Sequence, residues 1–436
     1  MKNSVLYFFL LAIPFWSCKN TDDSVFEQST DARLNEALAS YEKELVGAPY
    51  GWNAVIYPGG GGSYGFYFKF NDQNRVTMYS DFSAESSVTS KESSYRLKAM
   101  QTPSLIFDTY SYLHVLSDPD PGVNGGSAGE GLLSDFEFTI FPDSVKTDVI
   151  TLTGTKNKSR LVLTKATQAE ANAFTNGDLA KALVFNNISK YLTYFKRINI
   201  AGTTYELAVN QEERTIKMGW AEGATGKSVT TRYFYNSSGV SFVTPIVNGS
   251  QTITGFTNIQ WDGSKTQLSF TANGTNVIVA SADKPLLIDT GAPSRWWNAP
   301  IESGGEWRSV EGFHVNGVDN AFGLENLKLG EDPYVVLIFQ PGLTSTYDLF
   351  GPAFFVDGSL SLDYWYATRR PTFNTSGKIT FSLLGTAGTA PTSGPMFETQ
   401  KQLFDTNGYY FVQTSDKTYD MVSAKDAKAW ISWFRI

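Results

Sequence analysis

The stretch Tyr64-Gly65-Phe66-Tyr67-Phe68-Lys69-Phe70 decides the fold. Tyr64, Phe66, Phe68 and Phe70 alternate with Gly65, Tyr67 and Lys69, and a period of two puts one set of rings on a buried sheet face. Working outward, similar strand chemistry recurs at Trp52–Tyr57 and over 76–82, 94–99, 104–108, 135–141, 148–153 and 160–164. About eight short strands are enough for a sandwich or a small closed barrel. Ahead of them, Leu34, Leu38, Tyr41 and Leu45 recur at helical spacing, with Ser29 or Thr30 able to cap the start and Gly47 and Pro49 to stop the helix.

Beyond this unit, Thr167-Gln168-Ala169-Glu170 has the spacing of a capping box. Leu179, Leu183, Leu192 and Phe195 continue at helical spacing after the Asn176-Gly177 break, so residues 166–196 read as a helical connection. A second strand-rich unit covers 197–290, with turns at Ser238-Gly239 and Asn248-Gly249. Pro285, Pro293 and Pro300 mark a junction, and a third β unit fills 291–436. The expected class is mainly β: tandem antiparallel sandwich or barrel-like units, the first being a helix plus β unit over 30–165, with a few short helices.

With 31 Phe, 22 Tyr and 10 Trp in 436 residues and only 18% charged residues, the chain can bury a large core, which excludes disorder of the whole. A formal net charge of -8 repels phosphates and argues against a nucleic-acid binder. Two histidines and one cysteine cannot furnish the usual closed zinc sets, nor close an internal disulfide.

The N-terminus has the form of a secretory signal over residues 1–17. Lys2 supplies a basic start, and Val5 to Trp16 form an apolar run too short for a helix across a bilayer, which needs roughly 20 residues. Ser17 precedes Cys18, as in the lipobox of bacterial lipoproteins, where the cysteine is acylated. Residues 18–29 then read as a lipidated tether whose Asp22-Asp23 pair looks like a surface-export signal.

Candidate chemistry is sparse. Gly59 to Gly62 lead into a strand rather than a helix N-terminus, so they read as a hairpin loop and not a phosphate loop. His114 and His314, the only imidazoles, lack a nucleophile elbow and read as structural. The glycine-rich loop with Asp118, Asp120, Asn124 and Glu130 offers oxygens that calcium could use, yet it fails the EF-hand pattern at Val123 and Gly129. Trp296, Trp297 and Trp307 form a dense cluster at the 291–312 junction; it reads first as core, and as the stacking face for sugars if the junction binds a ligand. No zinc or iron site and no catalytic residue is expected.

Leu105-Ile106-Phe107-Asp108-Thr109-Tyr110-Ser111-Tyr112-Leu113-His114-Val115-Leu116-Ser117-Asp118-Pro119, together with Ser134 to Phe138 and Gly51-Trp52, resembles an uncharacterised family of Bacteroidetes outer-membrane lipoproteins. The resemblance implies a lipid-anchored protein facing the cell exterior, beside nutrient-uptake transporters of the TonB-dependent kind, and carries over no site residue. The resulting expectation is a non-catalytic binding or accessory lipoprotein for glycan or peptide capture. The alternatives are a glycan hydrolase and a structural or adhesion envelope protein.

Overall fold

The computed structural model describes residues 30–100, 102–223 and 225–436; the expected signal segment, Cys18 and the expected tether lie outside the described residues. Strands hold 47% of the chain against 18% in helix, so the fold is mainly β, as expected.

The helix Thr30–Gly47 leads into an eight-stranded closed barrel. Its strands are Trp52–Tyr57, Tyr64–Phe70, Arg75–Ser80, Lys91–Ala99, Pro103–Phe107, Glu137–Val145, Val149–Gly154 and Arg160–Lys165, joined in sequence order. The first and last pair antiparallel, with Trp52 opposite Lys165, and this removes both sheet edges. Phe66, Phe68 and Phe70 point into the barrel core with Trp52, Phe107 and Phe138. Trp52 also ties the preceding helix to the barrel, its indole N–H donating to the Leu45 carbonyl at 2.9 Å. The glycines at 59–62 sit in a hairpin loop, where the Gly59 and Gly60 amides donate to the Leu133 and Leu132 carbonyls.

After the barrel, Thr167 and Glu170 form the anticipated capping box on the helix Gln168–Thr175. The helical reading of the following residues needs correction. Helix Asp178–Ala182 tightens into a 3-10 segment, Leu183–Lys190, Leu192 is exposed, and Phe195 opens a strand, Phe195–Ile200. Tertiary packing overrides the local spacing here, because Phe195 packs on Val422 and Ala427 far along the chain.

That strand begins a nine-stranded antiparallel sheet, largely a meander, in which Ala280–Ala282 returns beside Phe195–Ile200. Its core holds Tyr205, Trp220, Tyr233 and Phe256, with Phe174, Phe185 and Tyr191 of the helical segment packed on top. A thirteen-stranded sheet spanning Trp307 to Phe434, with helices Ala292–Ser303 and Pro395–Leu403, completes the chain.

The barrel and the nine-stranded sheet meet at a tight seam. Gly65 lies so close to the strand Thr225–Asn236 that a Cβ there would come within 2.1 Å of the Tyr235 carbonyl oxygen. Ser63 donates to the Tyr233 carbonyl at 2.7 Å, and Arg214 forms a buried ion pair with Asp81 at 2.7 Å. Burial pushes the Asp81 carboxyl up, while Arg214 and the Tyr235 N–H pull it back toward the charged form.

Candidate functional site

The tryptophan cluster at the junction follows the first of its two sequence readings, core, and not the secondary reading as a stacking face. Trp296 and Trp307 are 0% exposed and stack on each other at 5.7 Å in the C-terminal core. Trp297 is 9% exposed; its indole N–H donates to Asp348 Oδ2 at 2.8 Å, and its ring is covered by Phe373 and Arg370. Rings this deeply buried offer no free face to a sugar, so this junction is core.

Asp118 and Asp120 lie on the loop that sequence singled out for calcium, but their oxygens serve the loop itself. Asp118 accepts from the Tyr110 hydroxyl at 2.5 Å and from the Asp120 N–H at 3.0 Å. Asp120 caps the turn Pro121–Asn124 by accepting from Gly122 N–H at 2.8 Å. Among the described residues no group of three or more His, Cys, Asp or Glu side chains comes together.

His114 is held as a structural residue, stacked between Tyr110 and Phe136, with Nδ1 accepting from Ser111 N–H and Nε2 at 3.1 Å from the Phe107 carbonyl. Burial pushes its pKa down, which favours the neutral ring. His314 pairs through Nδ1 with Asp319 and stacks on Trp430 at 3.6 Å.

The concave surface that suits a ligand lies elsewhere, on the nine-stranded sheet. A groove of about 970 Å³ runs between the helix Asp178–Ala182, the hairpin turn at Ser237-Ser238, and the strand Gln251–Asp262. Three local features shape it. The Asn236 side chain accepts from the Ser238 and Gly239 amides and so fixes the turn. The strand slips register between Thr257 and Gln260, and Asn258 takes a left-handed φ of 52° there. A bulge re-aims side chains, and strained backbone of this type clusters at ligand sites.

The strand then delivers Trp261 to the groove. This ring is partly exposed, with Tyr191 packed edge-on at 6.2 Å and the Lys190 ammonium 5.5 Å from its centroid. The charged residues lining the groove are Asp178 and Lys181, which pair with each other at 2.5 Å. Apart from the Lys190 ammonium beside the indole, what remains is neutral: the amides of Asn187, Asn258 and Gln260, the hydroxyls of Ser237 and Thr257, and the indole itself. Sequence reasoning missed Trp261 because it sits singly in strand sequence, while the conspicuous cluster lay at the junction. The available signal was a tryptophan following Asn258 and Gln260 on a polar strand.

Fold and groove together define an all-β protein with a closed barrel, further sheets and an open, largely polar groove. The chain belongs to the family of the domain of unknown function DUF4302, which matches residues 22–263 and so spans the barrel and most of the nine-stranded sheet, groove included. No curated protein matches the sequence.

Among solved structures, the DNA polymerase III subunit beta of Pseudomonas aeruginosa shares 10% identity, covers 92% of this chain and 98% of its own, and superposes with a TM-score of 0.15. The isotype 1 transferrin binding protein B of serogroup B Neisseria meningitidis shares 9%, over 88% and 74%, with a TM-score of 0.15. Scores this low carry no argument about fold or function.

Proposed function

We propose that this protein is a surface-anchored lipoprotein that captures glycans without cleaving them, at the outer membrane beside a TonB-dependent type of transporter. The observation that carries this reading is the groove of amides and hydroxyls that ends on Trp261. Sugars present hydroxyls to amides and hydroxyls, and an apolar C–H face to a flat ring, and the groove supplies both kinds of group. A retaining or inverting glycosidase needs two carboxyl groups flanking the scissile bond. Here the acidic lining residue is Asp178 alone, already paired with Lys181, which favours binding over hydrolysis.

Anchoring follows from Cys18 and the signal-like run before it. A tether over 18–29, fully extended at about 3.5 Å per residue, would hold the folded units up to about 40 Å from the lipid surface.

The test is a glycan array on the full chain, with product analysis. Retention of intact glycans, weakened at least tenfold by Gln260→Ala and by Trp261→Ala, is the expected result. Turnover of the bound glycan, or binding that ignores both substitutions, would refute the reading. Cys18→Ala should move the protein out of the membrane fraction and abolish fatty-acid labelling; unchanged membrane association would refute the anchor.

A further inference from the structure

The groove does not stop at the Ser237-Ser238 turn. A hollow of about 210 Å³ lies against the same turn, at the seam between the barrel and the nine-stranded sheet, and Ser237 and Ser238 line both. The groove meets the turn on its Gly239 limb, the hollow on its Asn236 limb. The barrel supplies one wall of the hollow from the outer face of its first and last strands. Asn53 and Thr164 stand directly opposite each other in that antiparallel pair, so their side chains are neighbours on one face. Trp52 and Ala54 on either side of Asn53 point into the barrel core, which turns the Asn53 amide outward. The nine-stranded sheet supplies the other wall with Phe234, which is partly exposed. Gly65 permits this close approach, because a Cβ there would come within 3.3 Å of the Phe234 ring.

The chemistry of the hollow repeats that of the groove: a flat ring with an amide and a hydroxyl beside it. Among the described residues, Glu170 is the charged group that lines the hollow. Its Oε2 accepts from the Thr167 N–H and hydroxyl, both at 2.8 Å, which leaves Oε1 as an acceptor for a sugar hydroxyl. The Lys190 ammonium beside Trp261 and the Glu170 carboxylate are opposite in sign, so the two ends together favour neither an anion nor a cation. The turn between them is fixed. Besides accepting from the Ser238 and Gly239 amides, the Asn236 side chain donates to the Ser241 hydroxyl at 2.7 Å. Trp261 and Phe234 are thus two partly exposed rings in two hollows joined by one rigid turn.

We propose that groove and hollow form one extended site for a neutral oligosaccharide of several units, with one unit stacked on Trp261 and another on Phe234 across the turn. This rests on the glycan-capture reading and adds the length of the ligand to it. A sugar turns its apolar C–H face to each ring and its hydroxyls to the amides and hydroxyls beside it. A chain that fills both hollows gains both sets of contacts for a single loss of translational freedom, whereas a disaccharide seated in the larger groove gains one set. Affinity therefore rises with chain length, and the residues of the hollow act on long chains alone.

The full-length protein in detergent is titrated with the two-unit and six-unit members of the malto-, cello- and xylo-oligosaccharide series. The expected result is that the six-unit member of at least one series binds at least tenfold tighter than its two-unit member. Phe234→Ala should weaken the six-unit member at least tenfold and Asn53→Ala at least threefold, both leaving the two-unit member unchanged. Asn53→Ala should keep the wild-type melting temperature, so a folding defect in Phe234→Ala does not decide the outcome. Trp261→Ala should weaken both lengths. Equal affinity for the two lengths, equal losses for both lengths in Phe234→Ala, or full binding of the six-unit member by Asn53→Ala would overturn the extended site and leave the groove reading standing. Absence of binding by every member would overturn both.

Discussion

Arg214→Met removes the charged group that joins the barrel to the nine-stranded sheet, and its cost can be worked from the contacts. The guanidinium donates to Asp81 Oδ2 at 2.7 Å, to the Asp81 carbonyl at 3.0 Å and to the Ser63 carbonyl at 3.2 Å, and it covers the Tyr64 ring at 4.1 Å. The Asp81 side chain is 0% exposed, so in the wild-type chain its charge is met by the guanidinium and by backbone donors and not by bulk solvent. After substitution the carboxylate keeps only backbone donors in this seam, the Tyr235 N–H at 2.9 Å and the Gly65 N–H. Removing one partner of a buried ion pair costs about 3 to 5 kcal/mol, because the other charge is stranded. Arg214 has a left-handed φ of 51°, and methionine would bear the same backbone strain, so that contribution cancels. The expected loss is therefore about 3 to 5 kcal/mol, read by urea denaturation followed by tryptophan fluorescence and far-UV circular dichroism. Pairing Arg214→Met with Asp81→Leu should recover most of it, since an apolar pair strands no charge. A loss under about 1 kcal/mol in the single variant, or a double variant as poor as the sum of the two singles, would refute the reasoning.

Other outcomes follow from the same geometry. Gly65→Ala should destabilise the chain by about 1 to 3 kcal/mol in thermal or chemical denaturation, because its Cβ would press on the Tyr235 carbonyl; a change within about 0.5 kcal/mol would mean that the seam yields freely. Trp297→Ala should cost about 3 to 5 kcal/mol, through the lost ring and the donor taken from buried Asp348, whereas a loss under about 1 kcal/mol would return Trp297 to the surface. Burial pushes the Lys196 ammonium from its ordinary 10.5 down to about 8, opposed by nearby Glu206. Between those values the unfolded chain binds the extra proton, so this residue makes stability rise with pH from about 8 toward 10.5. Denaturation midpoints across that window should rise less in Lys196→Met than in the wild type, and equal slopes would refute the assignment.

Strand chemistry was legible because it is local. Alternation at Tyr64 to Phe70, and matching runs on either side, locate all eight barrel strands to within a few residues, since a half-buried strand must place apolar side chains at every second position. The Thr167–Glu170 capping box was legible for the same reason, both partners lying within one helical turn. Whether those eight strands close into a barrel or split into a sandwich was not, because closure depends on Trp52 pairing with Lys165 across the whole unit. Long-range packing likewise turned Phe195 from an expected helix into a strand. The site divides along the same line. A tryptophan's identity is local but its exposure is tertiary: Trp296, Trp297 and Trp307 are covered by chain far away in sequence, whereas Trp261 keeps part of its ring on a groove assembled from three separate segments. Composition and the spacing of apolar residues are properties of the chain itself, and they determined the mainly-β class. Burial, ion pairing and cavities arise only when distant segments meet, so the Asp81–Arg214 seam, the groove and the hollow beside it were decided by the tertiary structure alone.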